Sequence, residues 1–395
     1  MPTKGVFDMQ TRVFTHLRAL TSLGPRPLGS PANQQAADTM RDVFRAAGLW
    51  VEEQPYACVA WEQDAILLEQ DGERLEAAAN AFSLPCDVTA PVVSAGTAAQ
   101  LETVSAHGKI LLLYGDLARA PLSAKSWFLK DERDDYIIRL LDEIQPAALL
   151  APPTATDYYG HLTEDWELDL AAATVPSAVA RRLVQNPGAM AHLRIEARRI
   201  PAMARNIVAR TLGDFEKRLV ICAHFDTKIN TPGASDNAGG AAALLALAEI
   251  FSRRQPGIGL EFVAFNGEEY LPIGDDEYVR RGESYFPTIR CAINMDGSGA
   301  ALAANNITAI SMPEEMEQAI RQVAAEFPGV AWVAPWPESN HSTFSFRGIP
   351  AVAIGGCGER GLAHSTADTL EVMSKEKLEE VVGLVERLVD RMSMM

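Results

Sequence analysis

The chain has 395 residues, enough for one large or two ordinary domains, and 48% of them are apolar against 22% charged. Such a composition buries a core and excludes a chain disordered along its whole length. Acids outnumber bases 52 to 35, a net charge of −17, so nucleic-acid binding through phosphate neutralisation, which needs a basic face, is not expected.

The first residues, MPTKGVFDMQTRVF, hold no apolar run of signal-peptide kind. Two helices are predicted next. Asp8 caps an apolar-periodic stretch that stops at Gly24-Pro25. Ser30-Pro31 starts a second, with Ala37, Met40, Val43, Phe44 and Ala47 on one face and Gly48 at its end. A short strand is expected over 49–56. From 57 to 200 the texture changes to short β-type runs, at 65–68, 109–114 and 147–150. After Pro201 strands alternate with helices: apolar runs at 218–225, 260–265, 292–295 and 351–355, helical patterns at 238–252, 314–327 and 375–392. That alternation predicts an α/β sandwich with a mainly parallel sheet. The longest uncharged run, 297–313, is broken by Gly and Asn and does not read as a membrane span. Cys58, Cys86, Cys222, Cys291 and Cys357 are odd in number and share no CxxC spacing. A zinc-thiolate site or an obligatory disulfide framework is not expected, and a reducing, cytoplasmic setting is.

In open α/β sheets ligands bind beyond the carboxyl ends of the strands. The first strand after Pro201 ends on His224-Phe225-Asp226. A Gly-rich loop, GASDNAGG, then carries Asp236 into a helix. The next strand leads to Asn266-Gly267-Glu268-Glu269, the one after it to Asn294-Met295-Asp296, and the last, across a Gly-rich turn, to His364. Singly, each is ordinary: a Glu-Glu pair is usually a solvated helix face, and an Asp after a strand is usually a cap. Taken in order, five strand-end positions all offer oxygen or imidazole ligands and none offers Lys.

In that order the chain resembles the co-catalytic dizinc aminopeptidases of the M28 peptidase clan. Their pattern is His-x-Asp, Asp-Asn in a small-residue loop, Glu-Glu, Asp and a late His. GPRPLGSPAN (24–33) resembles the family's N-terminal Arg-Gly-Ser signature, ESNHSTFSFRGIPAV (338–352) its Ser-Asp-His segment, and AHSTADT (363–369) its closing His-Thr segment. Residues 57–200 resemble an inserted protease-associated domain, on GTAAQLETVSAHGKILLL, PAALLAPP and ATVPSAV.

The resemblance implies a three-layer α/β/α sandwich with a mixed, mainly parallel sheet, formed by 1–56 and 201–395, and a β-rich protease-associated-like insert at 57–200. It implies two zinc ions per chain, with cobalt or manganese as substitutes. His224 and Asp296 would bind one ion, Glu269 and His364 the other, and Asp236 would bridge them. Glu268 would be the general base. Asp226, two residues along a strand from His224 and so on the same face, would fix the imidazole tautomer. By resemblance His341, on the loop before the last strand, could donate a hydrogen bond to the substrate or the tetrahedral intermediate; a buried structural histidine is the equal alternative. Cys222 shares the face of His224 and reads as a packed core cysteine. The implied substrates are peptides with a free N-terminus, with no nucleic-acid or membrane partner.

Three departures stand out. Tyr270-Leu271-Pro272-Ile273-Gly274-Asp275-Asp276 stands where the pattern has a Gly-Leu-x-Gly-Ser turn. Asn340 occupies the usual Asp position before His341. Gly239 replaces a common Ser, a change expected to matter little. Rival functions on the same scaffold are a one-zinc glutaminyl cyclase-like acyltransferase, a carboxypeptidase or dipeptidase, and a non-catalytic receptor-like protein, whose ligand set would be eroded. Gly356-Cys357-Gly358-Glu359-Arg360-Gly361 satisfies GxGxxG, but no helical periodicity follows it, so it reads as the turn that presents His364. HExxH and GxSxG are absent.

Overall fold

The computed structural model describes residues 12–127, 130, 132–154, 160–213, 215–254, 256–358 and 361–395. The expected cap Asp8 lies outside them. The chain divides into two compact units, Met1–Cys58 with Ala202–Met395, and Val59–Pro201.

Helix α1 (Val13–Thr21) buries Val13, Leu17 and Leu20, one face at helical spacing. Helix α2 (Pro31–Ala46) starts where the sequence places it: the Ser30 hydroxyl accepts from the Asn33 N–H at 3.1 Å, and Pro31 fills the first turn. Strand β1 runs over Trp50–Gln70, well beyond the expected 49–56. Its residues 62–65 are all exposed, so hydropathy alternation lapses there and the sequence splits one strand into two.

The Val59–Pro201 unit holds β2 (Glu73–Leu75), β3 (Ala78–Ala79), β4 (Cys86–Ala95), α3 (Ala98–Thr103), β5 (Ile110–Leu113), α4 (Glu132–Ile144), β6 (Ala148–Ala151), β7 (Ala172–Thr174) and α5 (Ser177–Gln185). Strand β8 (Met190–Arg210) follows, crossing Pro201 where the sequence suggested a break. Strands β4, β5, β6 and β7 are consecutive and parallel, with β8 antiparallel beside β4 and β3 antiparallel beside β7. Every residue of β5 and β6 is buried, as central parallel strands require.

The other unit continues with β9 (Arg218–His224), α6 (Gly239–Phe251), β10 (Gly259–Phe265), α7 (Ile273–Gly282), β11 (Ile289–Met295), β12 (Ala304–Ile310), α8 (Glu314–Ala324), β13 (Val330–Trp332), α9 (His341–Ser345), β14 (Ala351–Cys357) and α10 (Lys375–Ser393). Its sheet order is β13-β12-β14-β11-β9-β10-β8. The four central strands β14, β11, β9 and β10 are parallel, while β12 and β8 meet their inner neighbours antiparallel. Strand alternation sorts the two faces. Leu219, Ile221, Ala223, Phe262, Ile293 and Ile354 pack with α1, α2, α6, α8 and α10. Val220, Cys222, Val263 and Phe265 pack with Tyr278 of α7 and Phe344 of α9. Helices cover both sides of a mixed sheet, and the carboxyl ends of its four parallel strands come together at one edge.

Candidate metal centre

His224 is the last residue of β9 and lies level with Phe265, the last of β10. Two residues on, the buried Asp226 carboxylate accepts the backbone N–H groups of Glu268 and Glu269, each at 3.3 Å. The same carboxylate lies 3.5 Å from His224 Nδ1. One side chain therefore ties the turn after β10 to the histidine that closes β9. Asp236 is delivered by the segment before α6. Asn237 next to it donates to the Met295 carbonyl at 2.9 Å and accepts from the Gly240 N–H at 3.0 Å. A Cβ at Gly240 would meet the Met295 carbonyl oxygen at 2.3 Å, so only glycine lets α6 start against the end of β11. At Gly239 a Cβ would lie 2.8 Å from the Ser298 carbonyl oxygen, so the exchange of Ser for Gly has a packing cause that the sequence reading undervalued.

His224 Nε2 stands 3.3 Å from Asp236 Oδ1, 3.3 Å from Asp296 Oδ1 and 3.8 Å from Glu268 Oε2. His364 Nε2 stands 3.1 Å from both Asp236 Oδ2 and Glu269 Oε2. Two donor groups result, His224–Asp236–Asp296 and Asp236–Glu269–His364, each with its ligand atoms within 4.8 Å of one another. Asp236 belongs to both, offering a different oxygen to each. His364 holds a left-handed backbone, φ +60°, which a non-glycine residue adopts at a cost.

The electrostatics call for cations. Burial pulls the His224 pKa down, but Asp296 and Glu268 with the contacts to Asp226 and Asp236 raise it well above its usual value. Burial likewise opposes protonation of His364, and Glu269 and Asp236 overcome it. Glu268 is pushed far up, by burial first and then by the negative charge of Asp296, Glu269 and Asp236. Burial and neighbouring acids favour protons on Glu268 and Glu269 unless positive charge replaces them, whereas burial of Asp236 is outweighed by His224 and His364, which hold it well below the usual carboxylate range. A set of imidazole nitrogens and carboxylate oxygens with no thiol fits zinc.

Residues 206–389 match the profile of peptidase family M28. This segment belongs to peptidase family M28. In fold the chain is similar to an aminopeptidase from Aneurinibacillus sp. strain AM-1, with TM-score 0.76 and 23% identity over 96% of this chain and 93% of that one. It is also similar to BSAP, a zinc aminopeptidase from Bacillus subtilis, with TM-score 0.78 and 20% identity over 96% and 94% of the two chains. In sequence it is 23% identical over 268 residues to the probable lipoprotein aminopeptidase LpqL of Mycobacterium tuberculosis, covering 65% of this chain and 51% of that protein. The chain thus spans about half the length of that curated relative. Among the described residues no helix is long and apolar enough to cross a membrane.

Two buried residues outside the donor groups shape this M28 site. The Arg26 guanidinium donates to the carbonyls of Phe225 (3.1 Å), Gly24 (2.9 Å), Pro232 (2.8 Å) and Gly233 (2.9 Å), stapling both ends of the 225–233 loop. Burial lowers its pKa to about 10 despite Asp226, Asp368, Glu269 and Asp236 nearby. Asp368 accepts the N–H groups of Ser235 at 2.7 Å and Asp236 at 3.0 Å, fixing the backbone that presents the shared carboxylate. Both stand in stretches singled out in the sequence, 24–33 and 363–369, yet apart from Gly24 the partners named here lie far along the chain and left no local signal.

His341 is in neither donor group. It opens helix α9 instead of lying on a loop, because the chain turns at Ser339, φ +91°, and continues helically. Its ring is fully buried, Nε2 donates to the Trp336 carbonyl at 2.7 Å, and Nδ1 has no hydrogen-bond partner among the described residues. Burial lowers its pKa, leaving a neutral ring whose N–H is already committed. Cys222 is fully buried, with Sγ 3.5 Å from Asn294 Oδ1. After Gly361 no α-helix begins before Lys375 among the described residues, so the GxGxxG stretch lacks the helix a dinucleotide needs; Glu359 and Arg360 lie outside the described residues.

Proposed function

We propose that the chain is a zinc aminopeptidase that removes the N-terminal residue of peptides with two zinc ions per chain. The observation that carries this reading is Asp236, with Oδ1 3.3 Å from His224 Nε2 and Oδ2 3.1 Å from His364 Nε2, grouped with Asp296 on the first side and Glu269 on the second. His224 and Asp296 would hold one ion, Glu269 and His364 the other, and Asp236 both; cobalt or manganese would substitute. Such ions supply Lewis acidity, lowering the pKa of a water and polarising the scissile carbonyl.

The remaining steps fall to this chain's own groups. Glu268 Oε2 stands 3.8 Å from His224 Nε2 without joining either donor group, its backbone held by Asp226. Its carboxylate takes the proton of the attacking water and passes it to the leaving amine. Burial and neighbouring acids raise its proton affinity, which suits that transfer. Asp226 keeps His224 Nδ1 and the Glu268–Glu269 turn in register, acting as an orienting residue. The surplus of carboxylates attracts the substrate's free α-amine, which favours peptides with an open N-terminus over nucleic-acid or membrane ligands. Two donor groups sharing one aspartate favour the aminopeptidase over a one-zinc cyclase.

The reading includes a protease-associated-like role for the insert at 57–200, supported by the separate Val59–Pro201 unit. It also includes a cytoplasmic setting, supported by five unpaired cysteines.

The test is a panel of aminoacyl-anilides, dipeptides and N-blocked peptides, assayed with metal-depleted and zinc-restored protein. Glu268→Gln should keep its zinc and lose about 10²–10⁴-fold in kcat, the usual worth of a general base. Turnover at the wild-type rate in that variant would end the proposal, as would cleavage confined to N-blocked peptides.

A further inference from the structure

Asp275, in the first turn of α7, is buried, and among the described residues no Lys or Arg pairs with it. Its carboxylate is met instead by two groups from the segment around His341. Asn340 Nδ2 donates to Oδ1 at 3.0 Å and to Oδ2 at 2.9 Å, and the Thr343 hydroxyl donates to Oδ1. One residue before Asn340, Ser339 Oγ accepts from Asn294 Nδ2 at 2.8 Å, and Asn294 lies two residues before Asp296 at the end of β11. The histidine is therefore gripped between β11 and α7, while its own ring makes one hydrogen bond, to Trp336. Its position is set by its neighbours.

Two of the departures noted in the sequence meet in this contact. An acid stands at 275, after Gly274, where the M28 pattern ends Gly-Ser, and an amide stands at 340, where it has Asp.

We infer that Asp275 is a positioning residue for the proposed site, holding the 339–343 segment against the end of β11, two residues before Asp296, through Asn340 and Thr343. The inference rests on the function proposed above. Asp275 touches neither donor group, so it acts on geometry and not on metal retention.

The test uses the zinc-loaded full chain with Asp275→Ala, Asn340→Asp and the exchange Asp275→Asn/Asn340→Asp. Asp275→Ala removes the acceptor, and Asn340→Asp sets two carboxylates against each other. Each should lower kcat by about tenfold or more through misplacement, with KM within about threefold and zinc content unchanged. The exchange restores one donor and one acceptor and should return kcat to within about threefold of wild type. Nitrogen-15 NMR of the histidines, with the His341 signals assigned by His341→Gln, gives a readout free of activity. The His341 ring signals should move in both single variants and return in the exchange. Wild-type kcat and His341 signals in Asp275→Ala would overturn the inference. So would an exchange no better than Asn340→Asp, or one that does not fold, since it keeps the proposed contact. If zinc-loaded wild-type protein cleaves no substrate, the aminopeptidase reading falls, and the NMR arm alone decides whether Asp275 fixes His341.

Discussion

Removing the Asp368 carboxylate tests how the shared aspartate is held. In the folded chain Asp368 accepts from the Ser235 and Asp236 N–H groups at 2.7 and 3.0 Å, and its own carbonyl accepts the Ala234 N–H at 3.1 Å. Asp368→Ala spares the last bond and orphans the other two donors. A buried donor without an acceptor costs about 1–3 kcal/mol, so the pair sets a range of ~2–6 kcal/mol. Part is recovered, because the carboxylate is itself unfavourably placed: burial and the neighbouring Asp236 raise its pKa to about 6. The expected net loss is ~2–4 kcal/mol, a large share of the 5–15 kcal/mol that usually holds a protein folded. Urea unfolding of the zinc-loaded protein would read it as a lower midpoint at unchanged slope. A competitive chelator titration should show weaker zinc binding as well, since the orphaned N–H groups belong to Asp236 and its neighbour. An Asp368→Ala protein with wild-type midpoint and zinc affinity would refute the claim that this carboxylate places Asp236.

His364→Ala should lose the ion on the Glu269 side and keep the other, measured as zinc per chain after dialysis; unchanged zinc content would break the ligand assignment. Gly240→Ala forces a methyl to within 2.3 Å of the Met295 carbonyl oxygen. Overpacking of that kind costs about 1–3 kcal/mol, read by scanning calorimetry as a lower Tm, and an unchanged Tm would contradict the packing at the start of α6. Burial raises the Asp275 carboxyl from 3.8 to about 6. The folded state therefore binds this proton more tightly than the unfolded one, and stability is lost as pH rises from about 4 to 6, by at most ~3 kcal/mol. Asp275→Asn lacks that loss, so urea unfolding should show the variant gaining on wild type between pH 4 and 7. Identical pH slopes in the two proteins would count against a buried, titrating Asp275.

The parallel core was legible because β9, β10, β11 and β14 are apolar runs buried on both faces and closed by turn residues. Strand β12, ANNITAI, escaped the sequence reading because its buried Asn305, Asn306 and Thr308 look like loop residues. Asn305 is satisfied by the Lys377 carbonyl and Glu380 from α10, partners more than seventy positions away. Helix α7 hid behind Pro272, Gly274 and an acidic run with weak apolar spacing. The strand-end acids and histidines could be read because each sits just past a visible strand. What supports them could not, since Arg26 and Asp368 act on backbone groups that no motif encodes. His341 shows a further limit: its residue type was visible, but its burial and its bond to Trp336 arise only from the fold.

The amide pair Asn33–Asn266 has a consequence for biosynthesis. Asn33 Nδ2 donates to Asn266 Oδ1 at 2.8 Å, Asn266 Nδ2 returns the bond at 3.0 Å, and the two residues are 233 positions apart. The Arg26 staple to Phe225 spans 199. At a synthesis rate of about 5–20 residues per second, Asn33 leaves the ribosome roughly 10–50 s before its partner exists. Through that interval the apolar faces of α1 and α2 have no sheet to cover, while the 59–201 segment has time to collapse on its own. The stretch 206–389, although it carries the family profile, lacks two of the side chains that anchor its loops, Arg26 and Asn33. Made alone it would emerge with both the Arg26 and Asn33 sockets empty, so residues 12–50 act as a delayed intramolecular clamp whose closure completes the site.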